Sequence, residues 1–456
     1  MKNYRHNVFF FILLTSLIIF TASYFSKYII EVYPDFKRIN IISQISVNTI
    51  KNPQITKKNK SKKNIVNSKK QIYSDFDQYE LCNCIIGFNL ENQVVLNNFQ
   101  NKLLALSQNK KVKIRIAWFG DSIIEGDLVT QQLRELFNNY FKSNSGVGFL
   151  PINTVSSKFR ITGVVNSHGI YETNNFMKNS KNLYLSGYSY NSSDLELNIK
   201  DGVKKNPLQN LEKWLYCGKG DSIQVEFNNR IRVFNTSKNL NKILIDNSPS
   251  NTINFKISKN TAPIFGVSME PETGIIIDNF SFRGITGVEL RKIQDTLLDD
   301  INATESYDLI VFQYGVNLLF RPELNNFDYY FSMMNPVIKK LKKHLNKSEF
   351  LIVGSADRAF KYNDEWDTAI GIDSLIKVQA KLAFENKIPF LNLYKSMGGK
   401  GTIVKWADSI PKLANKDYIH FNYKGATKIA NIIFSSFLKD YKKNLILKTT
   451  KTPNKK

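Results

Sequence analysis

The pattern of apolar and polar positions changes character several times along this chain, and the changes divide it. Residues 8–25 form an uncharged, largely apolar run of 18 residues, with Lys2 and Arg5 ahead of it. That length just suffices for a helix across a hydrocarbon core. Basic residues before it predict a cytoplasmic N-terminus and an exported body. A cleaved signal peptide is the rival reading, although Thr21-Ala22-Ser23, followed by Tyr24-Phe25, makes a poor cleavage site. Residues 1–26 are thus expected to be an anchor or a signal. Residues 27–74 are expected to be a linker, because 51–70 are Lys/Asn-rich with almost no apolar positions and cannot fold alone.

From residue 91 a globular rhythm starts. Apolar residues recur at helical spacing over 91–107, a short buried strand over 114–119 ends at Gly120, and 128–141 is amphipathic. Between about 158 and 274 helical patterns vanish. Alternating runs replace them at 195–199, 223–227, 231–234, 243–245 and 253–257, separated by Asn, Gly and Ser. Short strands at this spacing predict an antiparallel β-sandwich. The α/β rhythm then returns: strands at 275–282, 308–313, 350–353 and 389–393 alternate with helices at 287–301, 329–345, 374–385 and 424–438. Strands alternating with helices predict a parallel sheet covered on both faces. The expected plan is an α/β unit in two parts, 75–152 and 275–438, interrupted by a sandwich at 153–274, with a basic tail at 439–456.

Charge refines this plan. The 456 residues carry a formal net charge of +24. Residues 1–74 account for +11 and residues 438–456 for +6, leaving about +7 on the folded part. A nucleic-acid protein would place a basic face within its fold, so no nucleic-acid partner is expected. Basic ends flanking an anionic membrane surface fit better. Three cysteines cannot make a disulfide scaffold, and Cys82 and Cys84 as C-x-C are poorly spaced for zinc. With no HExxH, C-x-x-C or Walker A pattern, no metal or cofactor is expected. No G-x-S-x-G elbow occurs either, which disfavours an α/β-hydrolase arrangement.

Four places could carry chemistry. Gly120-Asp121-Ser122 lies where the first strand meets the next helix, the usual crevice of an open α/β sheet. Of only four histidines, His6 precedes the apolar run, His168 sits at the start of the insert, and His344 lies in a Lys-rich helical end that reads as a solvated face. His420 remains, three residues after Asp417, a spacing that lets a carboxylate hold one imidazole nitrogen while the other serves as base. Gly315-Val316-Asn317 follows a buried strand, where an Asn amide can donate to an oxyanion. Gly284 follows another strand, with Gly287 as the other glycine there. Taken singly, each also reads as an N-cap, a loop histidine or a turn residue.

Taken in order, Ser122, Gly284, Asn317 and His420 resemble the four blocks of the SGNH/GDSL hydrolase family. The blocks are Phe119-Gly120-Asp121-Ser122, Arg283-Gly284-Ile285-Thr286, Tyr314-Gly315-Val316-Asn317 and Asp417 to His420 in D-x-x-H spacing. Ile123 stands in place of the family's Leu, and Leu318 in place of its Asp. Gly146-Val147-Gly148-Phe149, Asp357-Arg358 and Met397-Gly398-Gly399 with Trp406 look like the bacterial peptidoglycan O-acetylesterase branch. The resemblance spans roughly 90–438. It implies a flavodoxin-like three-layer α/β/α fold with a carbohydrate-binding-like sandwich inserted. It implies a serine esterase with Ser122, His420 and Asp417 as catalytic residues and an oxyanion hole from Ser122, Gly284 and Asn317. The implied substrate is an acetylated polysaccharide, foremost peptidoglycan, at the cell envelope. The alternatives are an O-acetyltransferase using the same triad and a non-catalytic glycan-binding protein.

Overall fold

A computed structural model describes residues 75–450, apart from 81–83, 89–93, 179–180 and 204–208. The apolar run at 8–25 and the linker lie outside the described residues. Among the described residues, no helix is long and apolar enough to cross a membrane.

The strand expected after residue 113 is the centre of the molecule. Strands β1 (Ile85–Ile86), β2 (Lys113–Gly120), β3 (Gly274–Ser281), β4 (Leu309–Gln313), β5 (Glu349–Val353) and β6 (Phe390–Leu391) form one sheet in the order β1-β6-β5-β4-β2-β3. All pairs are parallel except β1 with β6. Seven of the eight β2 residues are buried, as expected of a strand covered on both faces. Ile114, Ile116 and Trp118 face one hydrophobic core, whereas Ala117 and Phe119 face another.

The first core is built by helices α1 (Asn97–Ser107), α2 (Leu128–Phe141) and a long helix that closes the fold. Five α-helices lie between α2 and that last one along the chain: α3 (Asp295–Thr304), α4 (Asp328–His344), α5 (Ile372–Glu385), and the short α6 (Leu393–Met397) and α7 (Thr402–Asp408), which precede the closing helix α8 (Tyr423–Thr450). Phe137 of α2 meets Phe434 and Phe437 of α8 at ring-centroid distances of 4.9 and 5.8 Å, and Phe99 of α1 meets Phe437 at 5.6 Å. Residues of α3, α4 and α5 cover the opposite face. There Phe280, Phe119, Phe312 and Phe350 make a ladder across β3, β2, β4 and β5, with centroid spacings of 5.1, 5.8 and 6.1 Å.

Two antiparallel sheets fill the middle of the chain. One orders its strands Arg230–Asn235, Ser222–Phe227, Thr252–Ser258, Asp194–Asp201 and Gly163–Gly169. The other orders Asn241–Ser248, Leu211–Cys217, Ile264–Glu270, Tyr188–Asn191 and Glu172–Asn175. Asp194–Asp201 alternates strictly between exposed and buried positions, so Leu195, Leu197 and Ile199 all turn inward. These strands share their core with the α3–α5 face of the parallel sheet. Phe149 continues the aromatic ladder, 5.6 Å from Phe280 and 4.7 Å from Tyr184.

Several boundaries differ from expectation. Gly148–Leu150 pairs with Ile264–Glu270, so the second sheet recruits residues ahead of 153. The span 287–301 is not one helix: a short 3₁₀ turn, Val288–Lys292, ends at an extended Ile293 before α3 begins. The strand expected over 389–393 is only Phe390–Leu391, because Asn392 caps α6 by accepting from the Lys395 N–H. The last helix does not stop near 438 but runs to Thr450. Tyr441 packs on Phe141 at 5.1 Å, and Asp440 accepts from the Val95 N–H at 3.0 Å. His344 is not solvated: it lies 2.7 Å from Asp299 and 3.3 Å from Asp295 of α3. Cys84 is disulfide-bonded, and Cys217 is a free, buried thiol.

A buried ionic hub ties the sheets together. Arg115 of β2 donates to Asp278 of β3 at 2.7 Å, pairs with Glu305 at 2.5 Å, and binds Glu270 of the antiparallel sheet. Lys242 reaches Glu270 at 2.6 Å and Glu305 at 2.8 Å, and the Tyr307 hydroxyl donates to Asp278 at 2.8 Å. Burial would raise the Glu270 carboxyl, but Arg115, Lys242 and Lys113 bring it down to about 2. Removing one member of such a cluster strands the others without water. Arg115→Met is expected to cost about 3–5 kcal/mol of stability, read as a lower midpoint in urea unfolding.

Candidate active site

Ser122 is the second residue past β2, after Asp121. Its turn is held by the Asp121 side chain, which accepts from the Ile123 N–H at 2.9 Å. Gly120 must be small here, since a Cβ would come within 2.8 Å of Ile124 and 2.9 Å of the Gln313 carbonyl. Behind the turn lies a second buried ion pair. Arg134 of α2 pairs with Asp127 at 2.5 Å and donates to the Ile277 carbonyl at 3.0 Å. Burial opposes ionisation of Asp127, but Arg134 and its hydrogen bonds hold the carboxyl below the usual range. Asn279 of β3 donates to the Ile124 carbonyl at 2.9 Å and to Thr130 at 2.8 Å. The turn that presents Ser122 is therefore fixed from beneath by α2 and β3.

His420 arrives from the loop before α8. Its Nε2 is 2.8 Å from Ser122 Oγ, and its Nδ1 is 2.8 Å from Asp417 Oδ2. The other oxygen of Asp417 accepts from the Ile419 and His420 N–H groups, both at 3.0 Å. Burial works against the charged form of Asp417, but these bonds prevail and hold it below its ordinary value. The loop is braced by an Asn415 N–H bond to the His420 carbonyl at 2.9 Å. A stack of Trp366 on Tyr418, with centroids 4.2 Å apart, braces it further. Trp366 belongs to a hairpin, Ala359–Tyr362 with Glu365–Thr368, that the apolar pattern did not reveal.

Gly284 and Asn317 line the same cleft as Ser122, Asp417 and His420. The cleft measures about 540 Å³. Gly284 has φ +80°, and a Cβ there would meet nothing within 4 Å, so the backbone faces open space. Gly287 differs: it is buried, and a Cβ would meet the Tyr314 ring at 2.8 Å. Asn317 Nδ2 donates to the Ile285 carbonyl at 2.9 Å; an amide nitrogen carries two hydrogens, and this bond engages one. His168 lies on the exposed strand Gly163–Gly169, away from this cleft.

The cleft also contains residues that sequence reasoning did not single out: Glu125, Leu128, Phe159, Asn415 and Phe421. Arg283, quoted above only as the neighbour of Gly284, lines it as well and pairs with Glu125. Nothing periodic marks these positions; only an acid three residues after Ser122 and a base just before Gly284 hinted at the pair. Asp357, Arg358 and Trp406 prove to be supports. Asp357 accepts from Thr368 at 3.0 Å and from Ile403 at 2.9 Å, Arg358 donates to the Val316 carbonyl at 2.7 Å, and Trp406 packs on Phe421 at 5.7 Å.

Asp121 gives this site a pH signature. Burial pushes its carboxyl from the ordinary 3.8 up to about 7, against the Ile123 amide and His420. The unfolded chain then releases this proton first, so stability falls as pH rises from about 4 to 7. Asp121→Asn keeps the acceptor for Ile123 and removes the titration. Burial also raises Asp357 and Asp440 to about 6, so thermal melts between pH 5 and 8 are expected to show a smaller fall in the variant than in the parent.

Comparison with known proteins agrees with this architecture. No family model matches the chain, and no curated protein matches it. The solved structure of a peptidoglycan O-acetylesterase superposes with a TM-score of 0.63 at 18% identity, covering 76% of this chain and 96% of that one. An acetyl xylan esterase is 19% identical over 36% of this chain and 80% of its own, with a TM-score of 0.27. An acetylxylan esterase from Geobacillus stearothermophilus is 16% identical over 37% and 74%, also at 0.27. Likeness at those last two scores carries no structural weight, whereas the first extends over nearly the whole of its counterpart. With its parallel sheet, its antiparallel sheets and its cleft at the ends of β2, β3 and β4, the chain shares the fold of that peptidoglycan O-acetylesterase structure.

Proposed function

We propose that this chain is a serine esterase that removes O-acetyl groups from an exported polysaccharide, with peptidoglycan as the foremost substrate. The observation that carries the reading is the relay from Ser122 through His420 to Asp417, with both links at 2.8 Å in an open cleft. In this mechanism Ser122 Oγ attacks the ester carbonyl carbon and His420 Nε2 takes the hydroxyl proton. Asp417 holds the imidazole by Nδ1 and stabilises its charged form. The tetrahedral oxyanion is held by the Ser122 and Gly284 N–H groups and the Asn317 amide. As it collapses, His420 returns the proton to the departing sugar oxygen. Water, deprotonated by His420, then attacks the acetyl-enzyme and releases acetate, restoring Ser122.

The peptidoglycan assignment is supported by the likeness to a peptidoglycan O-acetylesterase across 76% of the chain. The location outside the cytoplasm is supported by the apolar run at 8–25 behind Lys2 and Arg5. In this reading the run anchors the chain in the membrane and the basic linker spaces the catalytic part from it.

The test follows acetate release from O-acetylated peptidoglycan by the full chain in detergent. Ser122→Ala is expected to lower the rate by at least about 10³-fold, since loss of the nucleophile leaves only binding and oxyanion contributions. No Ser122-dependent release by the parent would sink the esterase reading; acetyl transfer to a glycan acceptor instead would make the chain a transferase. Asn317→Ala is expected to lower kcat by roughly 10²–10³-fold with little change in KM, as for other oxyanion donors. A change confined to KM would remove Asn317 from that role.

A further inference from the structure

The two halves of the oxyanion site sit on different segments: Ser122 on the turn after β2, and Gly284 on the loop after β3. We infer that the Glu125–Arg283 ion pair is the strap that sets the Gly284 amide against Ser122. The inference rests on the esterase reading above. The pair acts through Gly284, so both residues are positioning residues.

The need for a strap follows from Gly284 itself. Its φ of +80° places it in the left-handed region, and no atom lies within 4 Å of its Cβ position. Side-chain packing therefore cannot set its orientation; the flanking residues must. On the C-terminal side they are well held. The Ile285 carbonyl accepts from Asn317, the Thr286 N–H donates to Glu289 at 3.1 Å, and the Thr286 carbonyl accepts from Tyr330 at 3.0 Å. On the N-terminal side, Phe282 is tied to the Gly120 carbonyl at 3.0 Å. Between Phe282 and Ile285, the side-chain attachment is Arg283. Its Nε reaches the two oxygens of Glu125 at 3.2 and 3.0 Å, and its Nη2 also binds Glu125.

Glu125 is well placed to take the strain. Its side chain is 9% exposed, whereas that of Arg283 is 53% exposed. The chain breaks helical geometry at Glu125 and at Gly126, whose φ is +68°. That kink belongs to the same rigid turn that presents Ser122, buttressed by Asp127, Arg134 and Asn279. A fork-to-carboxylate contact fixes direction as well as distance. The strap thus refers the Gly284 loop to the frame that already holds the nucleophile.

Magnitudes separate this role from a stabilising one. A half-exposed ion pair contributes little to folding. A misplaced oxyanion donor lowers kcat strongly, because its hydrogen bond is realised mainly in the transition state. The effect should therefore appear in kcat and not in the melting temperature. An alternative role for Arg283, binding an anionic group of the substrate, would appear in KM and only for charged substrates.

The experiment measures kcat and KM for the full chain and its Glu125→Gln, Arg283→Lys and Glu125→Gln/Arg283→Lys variants, using neutral 4-nitrophenyl acetate and O-acetylated peptidoglycan. Each single variant is expected to lose about 10–100-fold in kcat on both substrates, with KM within about threefold and melting within about 2 °C of the parent. The double variant should fall no further than the worse single one, because the strap is one interaction. Unchanged kcat, additive losses, or a KM rise confined to peptidoglycan would each overturn the strap while leaving Ser122-dependent activity in place. A parent chain with no Ser122-dependent activity on either ester would overturn the esterase reading, and the strap with it.

Discussion

A buried guanidinium sets the terms for the rest of this molecule. Arg115 lies near the start of β2, 4% exposed, where an unpaired charge would be prohibitively expensive. Three carboxylates must meet it, and they come from three places: Asp278 on the neighbouring strand, Glu270 at the end of the antiparallel sheet, and Glu305 just past α3. The same Asp278 accepts from the Phe149 N–H at 2.7 Å, so the strand Gly148–Leu150 is drawn in as well. The placement of β2 and the docking of the antiparallel sheet that holds Glu270 therefore rest on the same contacts. The hydrophobic core reflects the same coupling, since it runs without a break from the antiparallel strands to Phe119, Phe280 and Phe312.

The cleft inherits its precision from that centre. β2 and β3 run in register from Lys113 with Gly274 to Gly120 with Ser281, so the strand ends that lead to Ser122 and Gly284 are aligned by eight residue pairs. β4 runs on the other side of β2 and leads to Asn317. The Asp417–His420 pair follows no strand of this sheet, and it compensates with local bonding in which one carboxylate accepts two backbone N–H groups and faces the imidazole. Asp417 and His420 side chains are 43% and 37% exposed. The Ser122–His420–Asp417 cluster is thus open to solvent on its Asp417–His420 side.

Local pattern was informative where one face of one element decided burial. α2 occupies the span 128–141 that its apolar spacing predicts, because Leu133, Phe137 and Phe141 make a continuous stripe. The strand Ser222–Phe227 was equally legible from strict alternation. Pattern failed where burial came from distant partners. Residues past 438 read as a basic tail, yet Phe437, Tyr441 and Asn444 keep the helical stripe against α1 and α2. His344 sat among lysines, and only the approach of α3 supplied its two aspartates.

The sequence by itself determined the alternation of elements, the interruption of the α/β rhythm by strands, and the chain order of Ser122, Gly284, Asn317, Asp417 and His420. These are local properties: periodicity reports which face is buried, and a three-residue spacing brings a carboxylate to its own histidine. Tertiary structure alone decided that His420 meets Ser122 across 298 residues, that Glu125 meets Arg283 across 158, and that Arg115 gathers its carboxylates. Charged and polar side chains carry no periodic signal of their partners. Their pairing follows from the sheet register, which is set by the packing of the whole apolar core.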